Sequence, residues 1–213
     1  MKIKSYWFPA TLTGAFVLLL AGSLQAQTMA RFEAQTSGSK VKIEGTSTIH
    51  DWDVNSPIIG GFMEIDAAFL QKPSPGKVNA KANIVIPVRS LKSYKTSMDE
   101  VMQEHMKMKQ FPRITYNLTE LVLKEAPKDA KAPMAFDSKG ELTVSGVTNT
   151  VSFPVTITRA DDAKMQITSG KIPLKMTSFK IEPPCPKIGL GLIKTGDDVN
   201  VSFDWMTAKA ESK

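Results

Sequence analysis

The stretch EGTSTIHDWD, residues 44–53, places a histidine, two aspartates and several hydroxyl side chains close together in sequence. His50 has Asp51 beside it and Asp53 close by, which are groups that bind metal ions. The second histidine, His105, could complete such a site. Ser47 lies three residues before His50, so a hydrolase triad of Ser47, His50 and Asp51 is a further hypothesis.

Neither interpretation fits an extended chain. Side chains alternate along a strand, so Asp51 and Asp53 point away from the face that carries His50, whereas zinc needs three or four convergent ligands. No strand-to-helix elbow presents Ser47 as a nucleophile. We therefore predict no catalytic and no metal-binding residues, and a turn before Pro57 that is capped by Asp51 or Asp53. The strand face near a barrel rim would then carry Thr46, Thr48, His50 and Trp52.

The rest of the chain is dominated by a period of two, which is typical of half-buried strands. The stretch KVNAKANIVIPV shows the pattern most clearly, with apolar residues at Val78, Ala80, Ala82, Ile84, Ile86 and Val88. Similar alternation occurs near Val41, from Met63 to Phe69, and in PMAFD, RITYNLT, KIPLKM and DDVNVSFDW. The stretch ELTVSGVTNTVSFPVTIT predicts a hairpin with its turn at residues 146–150. Roughly eight strands joined by turns favour an all-β fold, an eight-stranded antiparallel β-barrel.

One segment departs from this period. SMDEVMQEHMKMK, residues 97–109, has apolar residues at helical spacing, and Ser97 with Glu100 matches a capping box. The sequence therefore predicts one short inserted α-helix with His105 on its apolar face, satisfied by a backbone carbonyl. Because methionine is flexible and polarizable, this helix is either an adaptable lid over the barrel or part of a solid core.

The N-terminal region has the features of an export signal. Lys2 and Lys4 precede an apolar run and a small-residue cleavage site near Ala26. We expect residues 1–26 to be a signal peptide and residues 27–213 to form one exported domain. A single cysteine, Cys185, permits no internal disulfide. The net charge of +6 is spread without a basic stripe, so we expect no nucleic-acid partner.

Five blocks of sequence, in order, resemble the YceI-like family: GTSTIHDW, VRSLKSYKTSMDEVM, FPRITYNLTEL, GELTVSGVTNTVSFPV and PLKMTSFKIEPP. The resemblance covers residues 41–206. It implies a lipocalin-like barrel in the periplasm that binds a long apolar chain, a polyisoprenoid or an isoprenoid quinone. It brings no catalytic residues and no cofactor.

The apolar strand faces suggest which residues would line such a barrel. Small residues at Ala80, Ala82 and Gly146 would leave room for a slender ligand. The predicted ligand-binding residues are Ile84, Ile86, Tyr116, Val144, Phe153, Val155, Leu174, Phe203 and Trp205 on strands, with Met102 and Met106 on the helix. No charge is visible on the inward faces, so we expect a neutral ligand, a long-chain isoprenoid or quinone-like molecule.

Two other hypotheses stay open. In the first, the barrel is filled by its own side chains and the protein is an interaction module. It would then dock a membrane or redox partner through the loop IEPPCPKIGLGLIKTG and the methionine-rich helix. A transient contact with a membrane or a membrane protein is also compatible with a carrier. In the second, a metal-assisted enzyme uses His50 and His105.

Overall fold

A computed structural model describes residues 28–129, 131–161, 163–185 and 193–210. The predicted signal peptide lies outside these residues, as do residues 186–192 of the loop proposed as a docking surface. Among the helices that the structure describes, none is long and apolar enough to cross a membrane.

The fold is all-β, as the alternating pattern predicts. The strands are β1 (Met29–Ala34), β2 (Lys40–Ser47), β3 (Trp52–Ser56), β4 (Gly60–Asp66), β5 (Gly76–Lys77), β6 (Ala80–Pro87), β7 (Arg113–Leu123), β8 (Met134–Val144), β9 (Val147–Arg159), β10 (Lys164–Ser169), β11 (Ile172–Lys175) and β12 (Thr195–Lys209). Burial alternates along them. In β8, for example, the side chains from Met134 to Gly140 are buried and exposed in turn.

Eight of these strands form a closed antiparallel barrel, in the order β1-β4-β6-β7-β8-β9-β10-β12. The barrel closes where β1 pairs with the last residues of β12, Phe32 opposite Lys209. The earlier part of β12 pairs instead with β2, which forms a hairpin with β3. On its other side, β12 pairs with β10 and then with β11. The predicted eight-stranded antiparallel barrel is confirmed.

The predicted helix corresponds to α2 (Thr96–His105), inserted between β6 and β7. It begins and ends earlier than predicted, so Lys107 and Lys109 lie beyond it. The capping-box prediction is wrong, because the N-cap residue is Lys95 and its side chain makes no capping hydrogen bond. Asp99 in the first turn instead accepts hydrogen bonds from the backbone N–H and the hydroxyl of Ser93, both at 2.7 Å.

Two further boundaries differ from the predictions. Strand β4 ends at Asp66, whose carboxylate accepts from the N–H of Ala68 and starts a short helix, α1 (Ala67–Gln71). The β8–β9 turn has only two residues, Ser145 and Gly146, both with positive φ. Gly146 therefore serves the turn and does not line the barrel interior, which corrects the prediction. Such a two-residue turn favours glycine because its backbone is left-handed.

Helix α1 covers one end of the barrel, called the closed end below. The ring of Phe69 lies 6.2 Å from that of Phe136, which is fully buried. The guanidinium of Arg159 donates to the carbonyl oxygen of Leu70 at 2.8 Å. The opposite end, formed by residues 47–52, α2 and residues 176–184, is called the mouth.

Candidate functional site

The barrel encloses an apolar cavity of about 500 Å³ that extends inward from the mouth. Along β12 its lining runs from Thr195 to Trp205, a stretch of roughly 33 Å at the rise of an extended strand. The cavity is therefore long and narrow. Its volume falls within the range of known small-molecule sites.

All eleven predicted ligand-binding residues lie on the wall of this cavity: Ile84, Ile86, Tyr116, Val144, Phe153, Val155, Leu174, Phe203, Trp205, Met102 and Met106. Several of them are only partly buried, since they border empty space. Alternation along the strands brings these residues together. Their role in binding a ligand stays a prediction.

Two small residues make room inside the barrel. Ala82 lines the cavity on β6, whereas Ala80 packs against the core and is not part of the lining. Gly140 on β8 lies under the phenol of Tyr116. A Cβ at this position would be 2.6 Å from the Tyr116 hydroxyl oxygen and 2.5 Å from the carbonyl oxygen of Asn117. Gly140 thus takes the role that the sequence analysis assigned to Gly146, and no local pattern in the sequence distinguished the two.

Aromatic rings form one wall of the cavity. The ring of Phe153 lies 5.5 Å from that of Tyr116 and 6.2 Å from that of Phe203, which it meets edge-on. These contacts join strands β7, β9 and β12 across the interior. Such tilted and edge-on pairs add to the stability that burial alone provides.

The wall also carries two unusual polar atoms. The hydroxyl of Tyr116 and the indole Nε1 of Trp205 are buried, and neither has a hydrogen-bond partner among the residues that the structure describes. Burial raises the pKa of Tyr116, and the nearby hydroxyl of Ser138 offsets this only in part. The hydroxyl of Ser138 donates its own proton to the carbonyl oxygen of Phe153 at 2.7 Å.

The stretch around His50 forms a hairpin turn at the mouth. Strand β2 ends at Ser47 and β3 begins at Trp52, so the prediction of one continuous strand face through Thr48 and His50 is wrong. The Ser47 hydroxyl donates to the carbonyl oxygen of His50 at 2.8 Å and accepts from the N–H groups of Ile49 and His50. Ser47 therefore holds the turn and is not oriented as a nucleophile.

The aspartates of this stretch do not act as predicted either. Asp53 accepts from the side-chain amide of Asn55 at 2.5 Å. Asp51 contributes its backbone carbonyl oxygen, which lies 2.7 Å from Nδ1 of His50. The turn near Pro57 is held instead by Ser56, whose hydroxyl accepts from the N–H of Ile58 at 3.1 Å. A serine that precedes a turn makes this contact with its own chain.

Helix α2 borders the mouth through Met98, Val101 and Met102. At its end, Nδ1 of His105 lies 2.8 Å from the carbonyl oxygen of Glu182, the backbone partner that the sequence analysis expected. His105 is half-buried and lines the cavity beside Met106. The hydroxyl of Ser145 donates to the carbonyl oxygen of Met106 at 2.9 Å, which joins the helix end to the β8–β9 turn.

The cavity is not free of charge at its mouth, contrary to the prediction. Lys95 and Lys175 belong to its lining, and so do His50 and His105. Lys175 is bound to the carboxylate of Asp198 at 2.7 Å. The sequence analysis missed these residues because Lys175 lies on the outward-reading positions of β11 and Lys95 precedes the helix. Phe179 and Ile181 were missed because they follow β11 without any period.

Nothing in the described part of the chain brings together three or more histidine, cysteine, aspartate or glutamate side chains that could hold a metal ion. The site is thus an elongated apolar cavity in a closed β-barrel, with a mouth rimmed by a helix and a hairpin. This combination defines the protein as a barrel of the ligand-binding type.

Comparisons with known proteins identify the family. The YceI-like domain matches residues 25–206, so the chain belongs to the YceI-like family. The structure resembles that of a polyisoprenoid binding domain from Saccharophagus degradans, with 13% identity and a TM-score of 0.64 over 86% of this chain and 100% of that one.

Two other solved structures share the fold. BcnA from Burkholderia cenocepacia is 18% identical, with a TM-score of 0.61 over 81% of this chain and 98% of that one. The YceI protein of Campylobacter jejuni is 16% identical, with a TM-score of 0.54 over 74% and 85% of the two chains. No curated protein sequence matches the chain.

Proposed function

We propose that the protein is an exported, non-catalytic carrier or store of a long neutral apolar chain, a polyisoprenoid or an isoprenoid quinone, held lengthwise in the barrel. The observation that carries this proposal is the continuous apolar cavity of about 500 Å³. Membership of the YceI-like family and the fold shared with a polyisoprenoid binding domain support it. The export-signal features of residues 1–26 support a periplasmic location.

The energetics favour a chain over a compact ligand. Each methylene removed from water contributes roughly 0.8 kcal/mol, so ten buried carbons supply about 8 kcal/mol before ordering costs. A narrow cavity lets a flexible chain bury its whole length against the strand faces. The cavity also argues against the alternative of a barrel filled by its own side chains, since Ile84, Phe153 and Phe203 border empty space.

The test is a native mass spectrum of the mature protein from its own compartment, followed by organic extraction. A bound mass with an isoprene ladder is expected. In Ala82→Phe the added ring fills the cavity, so the extracted ligand should fall at least a hundredfold while the fold is kept. Lys81→Phe places the same ring on the outer face and is the matched control. Equal ligand content in both variants would contradict the cavity as the binding site.

We further propose that the mouth takes up its ligand from a membrane surface. Two large apolar side chains beside the mouth are strongly exposed, Ile49 at 62% and Tyr94 at 88%. Tyr94 precedes Lys95, a cavity-lining cation that suits an anionic membrane surface. Uptake of a prenylquinone from anionic phospholipid vesicles should be several-fold slower in an Ile49→Ser/Tyr94→Ser double variant. Its affinity for detergent-solubilised quinone should not change, and an unchanged uptake rate would refute the proposal.

A further inference from the structure

The wall of the barrel is split lengthwise on the side of the mouth. Strand β9 pairs with β10 only from Val155 to Arg159. From Val147 to Pro154 it pairs with β8, and no strand in the described part of the chain pairs with its other edge there. Strand β11 follows β10 toward the mouth but pairs with β12 and not with β9. The wall between β9 and β11 therefore lacks a ladder of hydrogen bonds, and we call this gap the seam.

A proline on each side keeps the seam unpaired. Pro154 lies on β9 and Pro173 lies on β11. Hydrogen-bonded pairs alternate along an antiparallel ladder, and both prolines fall at positions whose backbone nitrogen is directed to the seam. Because a proline nitrogen carries no proton, neither edge can complete a ladder with the other. The two edges can therefore separate without breaking strand pairing.

The seam leads directly into the ligand cavity. A groove runs along the outside of the wall between β9 and β11. Val151, Leu174, Lys175 and Phe179 line both this groove and the cavity. The wall at the seam is thus only one side chain thick. Phe179 is the largest of these side chains and is 4% exposed, so its ring is the main barrier between the groove and the cavity.

Phe179 belongs to a short 3-10 turn, Thr177–Phe179, that is attached unequally to the two sides of the seam. On the side of β12, the N–H and the hydroxyl of Thr177 donate to the carboxylate of Asp197 at 2.8 and 2.7 Å. On the side of β9, the side-chain amide of Asn149 donates to the carbonyl oxygen of Ser178 at 2.7 Å. Hydrogen bonds to a charged acceptor are the stronger kind, so the turn should separate from β9 before it separates from β12.

The backbone that follows the turn is strained. Lys180 has a φ of 54°, in the left-handed region that is costly for a residue with a side chain. Release of the turn would relieve this strain. Further along, Nδ1 of His105 lies 2.8 Å from the carbonyl oxygen of Glu182. Movement is therefore confined to the 3-10 turn and the residues next to it, and helix α2 keeps its place.

We propose that the seam is a side gate of the cavity. The 3-10 turn remains attached to Asp197, separates from Asn149 and withdraws Phe179, so that a long chain passes sideways between β9 and β11. This inference rests on the proposed function and adds the route by which the ligand is exchanged. The seam begins at the mouth, so the route is compatible with uptake from a membrane surface. Asn149 and Ser178 line the groove but not the cavity, so their hydrogen bond controls the rate of exchange and not the affinity.

The first experiment removes this hydrogen bond and measures exchange of a tetraprenyl benzoquinone by stopped-flow quenching of tryptophan fluorescence. In Asn149→Ala the association and dissociation rates should both rise about three- to tenfold, as expected for one lost hydrogen bond, with an unchanged dissociation constant. Asn83→Ala is the matched control. It removes a 2.7 Å hydrogen bond to Asn117 between the paired strands β6 and β7 and should leave both rates unchanged. Rates in Asn149→Ala equal to those of the wild type, or a change in the dissociation constant, would overturn the side gate.

The second experiment closes the seam with a short bis-maleimide cross-link. Thr150→Cys and Pro173→Cys place one exposed thiol on each side of the seam, and Cys185→Ser removes the native thiol. After cross-linking, this protein should release the quinone about tenfold more slowly than before. The control pair Thr156→Cys and Thr168→Cys joins β9 to β10 where they already pair, so its release rate should not change.

The two proposals fail in different ways. Release that is equally fast before and after cross-linking of the seam would overturn the side gate and leave the carrier function intact. A wild-type protein that binds neither the quinone nor the tetraprenyl hydrocarbon would overturn the carrier function itself.

Discussion

The closed end and the mouth of the barrel are built on different principles. At the closed end, eight strands are hydrogen-bonded around a complete ring, and Phe136, Ile157 and Trp205 are almost fully buried. At the mouth, helix α2 and the turn after Ser47 are held by a few side-chain contacts, and Met98 and Met102 remain half-buried. The ring of eight strands sets the shape of the cavity. The mouth is packed more loosely, which entry of a long ligand requires.

This difference matches the residues that each region uses. Branched and aromatic side chains fill the closed end together with the fully buried Met134 and Met165, and close packing gives this end a fixed shape. Met98 and Met102 border the mouth and are only half-buried, so these unbranched, polarizable side chains can adapt to different occupants. The closed end therefore determines the shape of the cavity, and the mouth determines how a ligand enters it. Substitutions at one end should have little effect on the property that the other end determines.

The largest expected contrast compares a truncation at each end. Trp205→Ala should lower the free energy of unfolding by about 3–5 kcal/mol, because it opens a void in a fully buried position. Met102→Ala should cost about 1 kcal/mol, since this side chain is only half-buried. Urea denaturation of the ligand-free variants measures both values. Similar losses would show that the two ends are equally well packed.

Substitution of two glycines should show a smaller difference in the free energy of unfolding between the strand ring and the mouth. A Cβ at Gly140 would overlap the backbone of Asn117 on the neighbouring strand, which the ring holds in place. A Cβ at Gly45 would overlap only the indole of Trp52, a side chain that lies half-exposed at the mouth. Gly140→Ala should therefore cost about 2–3 kcal/mol and Gly45→Ala about 1 kcal/mol.

Thermal melts of both variants check this prediction. Gly170→Ala is the control, because a Cβ there meets no neighbour. If Gly45→Ala were as damaging as Gly140→Ala, Trp52 would be fixed as firmly as the strands and the mouth would not be adaptable.

The sequence predicted the strands of the barrel better than the mouth, because alternation of side chains is a property of strands. Where a strand is buried on one face, alternation reports that face directly, so Ile84, Phe153 and Phe203 were placed on the inner wall from their spacing alone. The same pattern extended β4 to Phe69, because alternation does not register the cap that Asp66 supplies to α1. It also missed the role of Gly140, which depends on a neighbour across the sheet.

At the mouth, the determining contacts join residues far apart in sequence. The bond from His105 to Glu182 was expected as a type of contact, but its partner was not predictable. Residues 47–52 alternate like a strand, yet the Ser47 hydroxyl holds them in a turn. Serine occurs in strands, and its hydroxyl also makes the local hydrogen bonds that hold a turn. The sequence alone therefore did not distinguish a strand from a turn at residues 47–52.

The smallest expected effect concerns Asp99, which fixes the start of α2 at the mouth. Burial alone would raise the pKa of Asp99, but the hydrogen bonds from Ser93 and the charge of Lys92, 3.5 Å away, hold it below its ordinary value. Because folding lowers this pKa, the carboxylate stabilises the protein fully above its ordinary pKa. That contribution is lost as the pH falls through the folded-state value.

Asp99→Asn keeps an acceptor for Ser93 but removes the charge, so we expect it to cost about 1 kcal/mol at neutral pH. Urea denaturation at a series of pH values should show this difference shrinking below pH about 4 and vanishing once the wild-type carboxylate is protonated. Glu100→Gln, on the exposed side of the same helical turn, should change little at any pH. A difference between wild type and Asp99→Asn that persists at low pH would mean that the side chain acts by shape and not by charge. In that case the mouth would be held in the same way as the closed end, by packing.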